Sequence, residues 1–176
     1  MRVSCLLPVA LAFALLSCST DDKVQAPRLY RMGDRAQAGN LFYTVLDRQW
    51  RNEFGEGPAA RLPENRFYLV RISVENNSAT EAIVPGIELV DDSGAAFPEL
   101  TDGDGVQDWI GNTRQVKPSV ANQGYVLFDV QPKHYKLRVW GEEEKQAALV
   151  DLPLSFDSDL PDVTTPLDSN RIPVKK

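Results

Sequence analysis

The alternation of apolar and polar residues is clearest over residues 67–97, where it predicts β-strands joined by short turns. One face of the first strand is β-branched and aromatic at period two, with Tyr68, Val70, Ile72 and Val74. The other face starts apolar and turns polar, with Phe67, Leu69, Arg71, Ser73 and Glu75. We therefore expect the first face to pack inward and the second face to be covered only over its apolar end.

Similar strand patterns occur on both sides of this stretch, and residues rich in Gly, Pro, Asn, Asp and Ser separate them. Within the stretch, a second predicted strand ends at the Pro85-Gly86 break and a third covers 87–90, and the predicted strands outside it are 41–46, with a polar continuation over 47–50, then 125–130, 135–140 and 147–156. Pro153 in the last of these indicates an edge strand, because proline cannot donate to the ladder. The chain shows no strong helical periodicity and no internal repeat. The pattern predicts one all-β, immunoglobulin-like antiparallel sandwich of about seven to nine strands over residues 30–156.

Two segments between the predicted strands are unusually long for a small β-domain. Residues 51–65 contain two glycines and two prolines, and residues 100–111 contain a run of aspartate and glycine. Long connections in compact domains are typically either mobile or functional. We therefore expect the 51–65 loop to be either mobile or functional.

The first 17 residues have the pattern of an export signal. A positive start at Met1-Arg2 precedes an apolar run that is shorter than the ~20 residues needed to span a membrane. The run ends in Leu15-Leu16-Ser17-Cys18, which resembles the lipobox of bacterial lipoproteins. That resemblance implies cleavage before Cys18 and acylation of its thiol, whereas the alternative is an ordinary signal peptide with an incidental cysteine.

The lipobox resemblance implies a membrane-anchored protein of the cell envelope. Two or more acyl chains hold a protein stably on a bilayer, and residues 18–29 would form the lipidated tether. Ser19, where an aspartate would favour the inner membrane, favours the outer membrane if the host is Gram-negative. The other cysteine, Cys5, lies in the segment that would be removed, so no disulfide is expected in the mature chain.

Composition limits the remaining possibilities. The 176-residue chain has a net charge of −6, and its basic residues are scattered. Nucleic-acid binding requires a basic surface, so nucleic acid is not an expected partner. Residues 157–176 combine proline and aspartate with few large apolar residues, which predicts a disordered C-terminal tail.

The region from about Met32 to Leu154 resembles a bacterial domain-of-unknown-function family that is common in lipoproteins. The resemblance rests on Gly39-Asn40 before a Tyr-Thr-Val strand, on the Asn76-Asn77 turn, and on the segments 89–97 and 118–130. Pro118-Ser119 departs from the usual Pro-Gly of that family. The resemblance implies an immunoglobulin-like sandwich related in fold to a secreted mycobacterial immunogenic protein, and it implies no catalytic residue.

Catalytic chemistry has little support in the sequence. His134, the only histidine, falls in a turn, and no Gly-x-Ser-x-Gly nucleophile motif occurs, so we expect an exposed turn residue. One histidine and one acylated cysteine leave zinc without ligands, and no cofactor is predicted. Trp140 is expected in the core, whereas Trp50 and Trp109 are equally compatible with core packing or a binding face. Asn76-Asn77-Ser78 fits a glycosylation sequon but is better interpreted as a plain turn.

One acidic loop is a weak candidate for a metal site. Asp102, Asp104 and Asp108 alternate with glycine, and three carboxylates with backbone carbonyls could hold calcium. The pattern departs from the EF-hand, and an ordinary acidic turn explains it better. The sequence thus predicts a non-enzymatic binding or accessory domain that contacts an unknown envelope protein or ligand. The alternative is an envelope-acting enzyme, or enzyme subunit, with a pair of carboxylates.

Overall fold

The structure is a computed structural model that describes residues 26–142 and 144–154. The predicted signal peptide, Cys18 and the C-terminal tail lie outside the described residues. The described part contains eleven strands, a 3-10 helix (Gly57–Ala59) and no α-helix, so none of it forms a helix able to cross a membrane. The strands are β1 (Arg28–Arg31), β2 (Arg35–Ala38), β3 (Leu41–Arg51), β4 (Phe67–Asn76), β5 (Ala82–Val84), β6 (Glu88–Asp91), β7 (Ala96–Pro98), β8 (Arg114–Val116), β9 (Ala121–Asp129), β10 (Tyr135–Trp140) and β11 (Ala147–Leu152).

Two large sheets pack face to face. One has five strands in the order β1-β11-β10-β6-β7, and the other has four strands in the order β2-β3-β4-β9. Strands β5 and β8 form a separate two-stranded sheet. All pairs are antiparallel except β1 with β11. The predicted all-β sandwich is confirmed, and it has more strands than expected because several have only three or four residues, too few to show alternation.

The predicted inward face of β4 lies in the core. The exposed fraction is at most 2% for each of its residues, Tyr68, Val70, Ile72 and Val74. They share one cluster with Val126, Phe128 and Val130, as expected, and with apolar residues of the five-stranded sheet. Opposing inner faces of β-branched and aromatic residues are the normal core of a sandwich.

The ends of the sandwich differ from the expectation in two details. Strand β11 is not an edge strand, because it lies between β1 and β10. Pro153 follows the last residue of β11, where no ladder hydrogen bond is required. Strand β1 starts at Arg28, so the predicted tether, residues 18–29, overlaps the first strand by two residues.

The free edge of β9 is covered by the chain itself. Tyr125 donates its N–H to the carbonyl of Asp108 (2.8 Å) and accepts the N–H of Ile110 (3.1 Å). This approach requires Gly124, since a Cβ there would lie 2.5 Å from the Asp108 carbonyl oxygen. The segment that covers the edge blocks pairing with other chains, and it also forms one wall of the site described next.

Candidate binding groove

Two long loops meet over the outer face of the four-stranded sheet, which is the face turned away from the core. The 52–66 loop joins β3 to β4, and the 99–113 loop joins β7 to β8. Beneath them, Phe67, Leu69 and Leu127 form a second buried cluster. The loops contribute Phe54, Leu100 and Val106 to it. The prediction that only part of this face is covered agrees with the structure, although Ser73, beyond the apolar end, is buried too.

The two loops hold each other through Arg61 and Phe54. The Arg61 guanidinium donates to the carbonyls of Asp102 (3.2 Å) and Asp104 (3.0 Å). Phe54 packs on Gly105, where a Cβ would lie only 2.8 Å from the Phe54 Cβ. Because backbone carbonyls in one loop bind a side chain of the other, the two loops act as one cover over the sheet.

The same contacts bear on the calcium hypothesis. The guanidinium of Arg61 already occupies two backbone carbonyls of the acidic loop, and the Asp102 carboxylate accepts the N–H of Asp104 (2.9 Å). Asp108 instead faces the groove. No three histidine, cysteine or acidic side chains among the described residues are grouped to hold a metal ion. The calcium hypothesis gains no geometric support and stays a prediction.

A buried ion pair closes the base of the 99–113 loop. Glu99 and Arg114 lie at its two ends, and their side chains, 7% and 1% exposed, contact each other. Arg114 also donates to the Gly111 carbonyl, and Glu99 accepts the N–H of Ile87 (2.9 Å). Burial raises the pKa of Glu99, and the nearby Arg114 charge and the Ile87 hydrogen bond offset only part of that rise.

The end of the 52–66 loop is fixed by a carboxylate on β9. Asp129 accepts the backbone N–H groups of Glu64 (2.6 Å) and Asn65 (2.8 Å). Two N–H groups bonded to one carboxylate hold the loop at the point where it enters β4. Both loops are thus anchored at their bases, and the surface between them has a defined shape.

An open groove of about 650 Å³ lies where this cover ends. Its floor is formed by outward side chains of β3, β4 and β9, namely Gln49, Arg51, Leu69, Arg71 and Tyr125. Its walls come from residues 53–56 and 105–108 of the two loops. The volume lies within the range of ~300–1,000 Å³ typical of ligand pockets.

Arg71 lies at the floor of this groove. On β4 it pairs in register with Tyr125 of β9 on one side and with Asp47 of β3 on the other. Its guanidinium carbon lies 5.9 Å from the centre of the Tyr125 ring. Its Nε is buried without a hydrogen-bond acceptor, and no described carboxylate, Asp47 included, forms an ion pair with it. Buried polar groups in native proteins are normally satisfied, but buried nitrogens of Arg66, Trp109 and Arg114 also lack a partner among the described residues, so the Arg71 Nε gains weight only together with its position in the groove.

His134 lies on the other sheet and is not simply an exposed turn residue, as the sequence had suggested. Its Nδ1 is 3.0 Å from the Asp92 carboxylate, and its Nε2 is 2.8 Å from Asp151. The hydrogen bond with Asp92, followed by that with Asp151, raises the pKa of His134. Both ring nitrogens can donate only when the ring is protonated, so the pair of carboxylates stabilises the imidazolium.

The tryptophans divide between core and surface. Trp50 stacks on Tyr68 with ring centroids 4.1 Å apart and lies in the core. The expectation of a core position for Trp140 is wrong. Trp140 is half-buried on the outer face of β10, and its ring centroid lies 5.4 Å from the guanidinium carbon of Arg138. Alternate residues of a strand share a face, so Trp140 lies on the face of Arg138 and not on the buried face of Val139.

Asn76 is 1% exposed, and its side-chain amide fixes a turn. It donates to the carbonyls of Thr80 (2.7 Å) and Val116 (2.8 Å) and accepts the N–H of Ser78 (2.8 Å). An amide with all three of these bonds is not accessible to a glycosyl donor. The preferred interpretation of this sequon as a turn agrees with the structure.

Sequence reasoning missed Arg71, Tyr125 and the Glu99–Arg114 pair. The signal for Arg71 was present, since it is the first charged residue after Phe67 and Leu69 on the outward face of β4. The pairing of Glu99 with Arg114 had no such signal, because the two residues lie 15 positions apart at the ends of an irregular loop.

No known protein family matches the chain, and no curated protein matches it. Three solved structures are similar in fold. The secreted protein MPT63 from Mycobacterium tuberculosis has a TM-score of 0.55 and 14% identity, and the match covers 73% of this chain and 99% of that one. The yjhA protein from Bacillus subtilis has a TM-score of 0.53 and 14% identity, with 70% and 99% covered. A functionally unknown protein from Listeria monocytogenes EGD-e has a TM-score of 0.51 and 13% identity, with 69% and 82% covered.

Identities this low show the fold alone. The expected relation in fold to a secreted mycobacterial protein is confirmed. Membership of the domain-of-unknown-function family stays a prediction, as does lipidation. The function has to be argued from the groove itself.

Proposed function

We propose that this chain is a lipid-anchored protein of the cell envelope whose β-sandwich binds a ligand in the groove between the two loops, without converting it. The observation that carries the proposal is Arg71, which lines a groove with anchored walls and whose Nε has no hydrogen-bond partner among the described residues. A fixed concave surface with a few converging polar groups is the usual form of a ligand site.

The lining of the groove supports binding rather than turnover. Among the described residues that line it there is no histidine, cysteine, serine or lysine. The only histidine is on the other sheet, and both cysteines lie in the N-terminal segment. Three carboxylates, of Glu53, Glu56 and Asp108, do line it. They keep a carboxylate-pair enzyme as the alternative, which predicts a changed ligand after incubation.

The proposed anchor rests on Leu15-Leu16-Ser17-Cys18. The first strand begins at Arg28, ten residues after Cys18, so an extended tether reaches ~33 Å at most. The groove would then work close to a membrane, and Ser19 favours the outer membrane in a Gram-negative host. The similarity to a secreted protein in fold is compatible with this location.

Photo-crosslinking in the host tests the binding role. We expect p-benzoylphenylalanine at Gln107, an exposed residue of the groove wall, to form one discrete adduct upon irradiation. The same amino acid at Ile83, exposed on the two-stranded sheet, is the matched control and should not form it. Adducts of equal yield at both positions, or at Ile83 alone, would contradict a role for the groove.

A further inference from the structure

Arg71 indicates which ligand group the groove would bind, because its guanidinium has no anionic partner among the described residues. Its cation faces Tyr125 on one side, and no described carboxylate neutralises it. A planar guanidinium offers parallel N–H donors that match the two oxygens of a carboxylate. A carboxylate that bonds to Nε and one Nη would satisfy the buried nitrogen and neutralise the charge together.

The residues around Arg71 are suited to contact a ligand whose part beyond the carboxylate is flat or contains amide groups. Tyr125 and Phe54 provide aromatic surface beside the guanidinium. The side-chain amides of Gln49 and Gln107 each offer a donor and an acceptor, which suits peptide groups. Arg51 also lines the groove, and its Nε donates to the Gln49 side chain (3.1 Å), so Arg71 is the floor arginine whose Nε has no partner among the described residues.

The walls of the groove select against highly charged anions. The three wall carboxylates, those of Glu53, Glu56 and Asp108, would repel phosphate-rich ligands. The two floor arginines, Arg51 and Arg71, lie inside an acidic wall, and this arrangement favours an anion of low charge on an otherwise neutral or cationic ligand.

We propose that the groove binds a carboxylate-bearing, peptide-like ligand, with the carboxylate on the Arg71 guanidinium and the remainder along Tyr125 and the two glutamine amides. This inference rests on the proposed binding role of the groove and specifies its ligand class. Phosphate-type anions and neutral amides are the competing ligand chemistries that the test has to separate.

The Nε–Hε resonance of Arg71 reports directly on the proposed contact. It is observed in lipidated protein labelled with ¹⁵N-arginine in detergent micelles, and is assigned by its loss in Arg71→Gln. Three probes are titrated: N-acetyl-phenylalanyl-glycine, its C-terminal amide, and phenyl phosphate. We expect only the free carboxylate to shift this resonance saturably, with at least tenfold weaker binding of the other two.

Variants give the matched controls by calorimetry with the same three probes. Arg71→Gln should weaken binding of the carboxylate at least tenfold. The affinity of Arg71→Lys should be intermediate, because lysine keeps the positive charge but lacks the parallel N–H donors of a guanidinium. Arg28→Gln removes an exposed arginine from β1 and should bind as the wild type does.

The outcomes separate this inference from the proposed function. Equal shifts with the amide and the carboxylate would leave the groove as a binding site and overturn the carboxylate inference, as would stronger binding of phenyl phosphate. The absence of any shift at Arg71 with all three probes would overturn both. A loss in Arg28→Gln equal to that in Arg71→Gln would also overturn the inference, since it would show nonspecific charge attraction.

Discussion

Replacing Glu99 by Gln should cost a large part of the stability of this domain. The change leaves Arg114, whose side chain is 1% exposed, without a counter-charge at the base of the 99–113 loop. The glutamine oxygen can still accept the N–H of Ile87, so we expect the loss of stability to come mainly from the uncompensated Arg114 charge. Removing one partner of a buried ion pair typically costs about 3–5 kcal/mol, and we expect a loss in that range at neutral pH.

The reverse change, Arg114→Met, should behave differently because a carboxylate can neutralise itself and a guanidinium cannot. Burial already raises the pKa of Glu99, and loss of Arg114 removes the charge that opposes this rise. An acid whose folded pKa exceeds its unfolded value stabilises the fold when protonated and loses that contribution as pH rises. Arg114→Met should therefore cost more at pH ~7 than at pH ~5.

The assay is urea unfolding followed by tryptophan fluorescence on the wild type, both single variants and the double variant. The double variant, Glu99→Gln with Arg114→Met, should recover much of the stability lost in Glu99→Gln, since it leaves no buried charge. A cost below about 1 kcal/mol for Glu99→Gln would refute the reasoning, because a buried uncompensated arginine cannot be that inexpensive. Strict additivity of the two changes would refute it as well.

Three further predictions follow from the fold and the sequence. Ile72→Ala should destabilise the domain by about 2–5 kcal/mol in the same assay, since Ile72 is fully buried, and a near-zero cost would contradict the assigned faces of β4. The pKa of His134 is raised in the folded state, so the protonated ring stabilises the fold. This contribution to the free energy of unfolding is complete below the unfolded pKa of about 6.5 and is lost as pH rises through the folded pKa. The thermal midpoint of the wild type should thus fall more between pH about 6 and 8 than that of His134→Gln, and parallel curves would count against the charged histidine. Cys18→Ser should abolish incorporation of radiolabelled palmitate, and continued labelling would exclude Cys18 as the acylated residue.

The sequence predicted the sandwich because burial on one face imposes a strict period of two. Tyr68, Val70, Ile72 and Val74 could be assigned to the core from this period alone, and the structure agrees. The same rule would have placed Trp140 outside, had its own strand been followed rather than its apolar neighbours. The short strand β8 escaped prediction because three residues carry too little pattern, whereas β5 falls in the run that was predicted as a strand before Pro85-Gly86.

The site was less predictable because it depends on contacts between distant loops. The length of the 51–65 loop indicated a mobile or functional segment, and the change from apolar to charged residues after Leu69 indicated that the outward face of β4 is only partly covered. The contacts of Arg61 with Asp102 and Asp104 join residues about forty positions apart, with no local signal. Sequence reasoning therefore preferred an ordinary acidic turn with calcium as a weak candidate, and it could not foresee that the Arg61 guanidinium binds two of the loop's carbonyls.

The most direct test of the account is a backbone amide shift map of the ¹⁵N-labelled protein with the low-molecular-weight fraction of its own envelope. We predict that perturbed amides concentrate at residues 105–108, Arg71 and Tyr125 around the groove, and that Arg71→Gln abolishes the perturbation. Perturbations confined to the five-stranded sheet, for example at Lys136 and Leu149, would contradict the account.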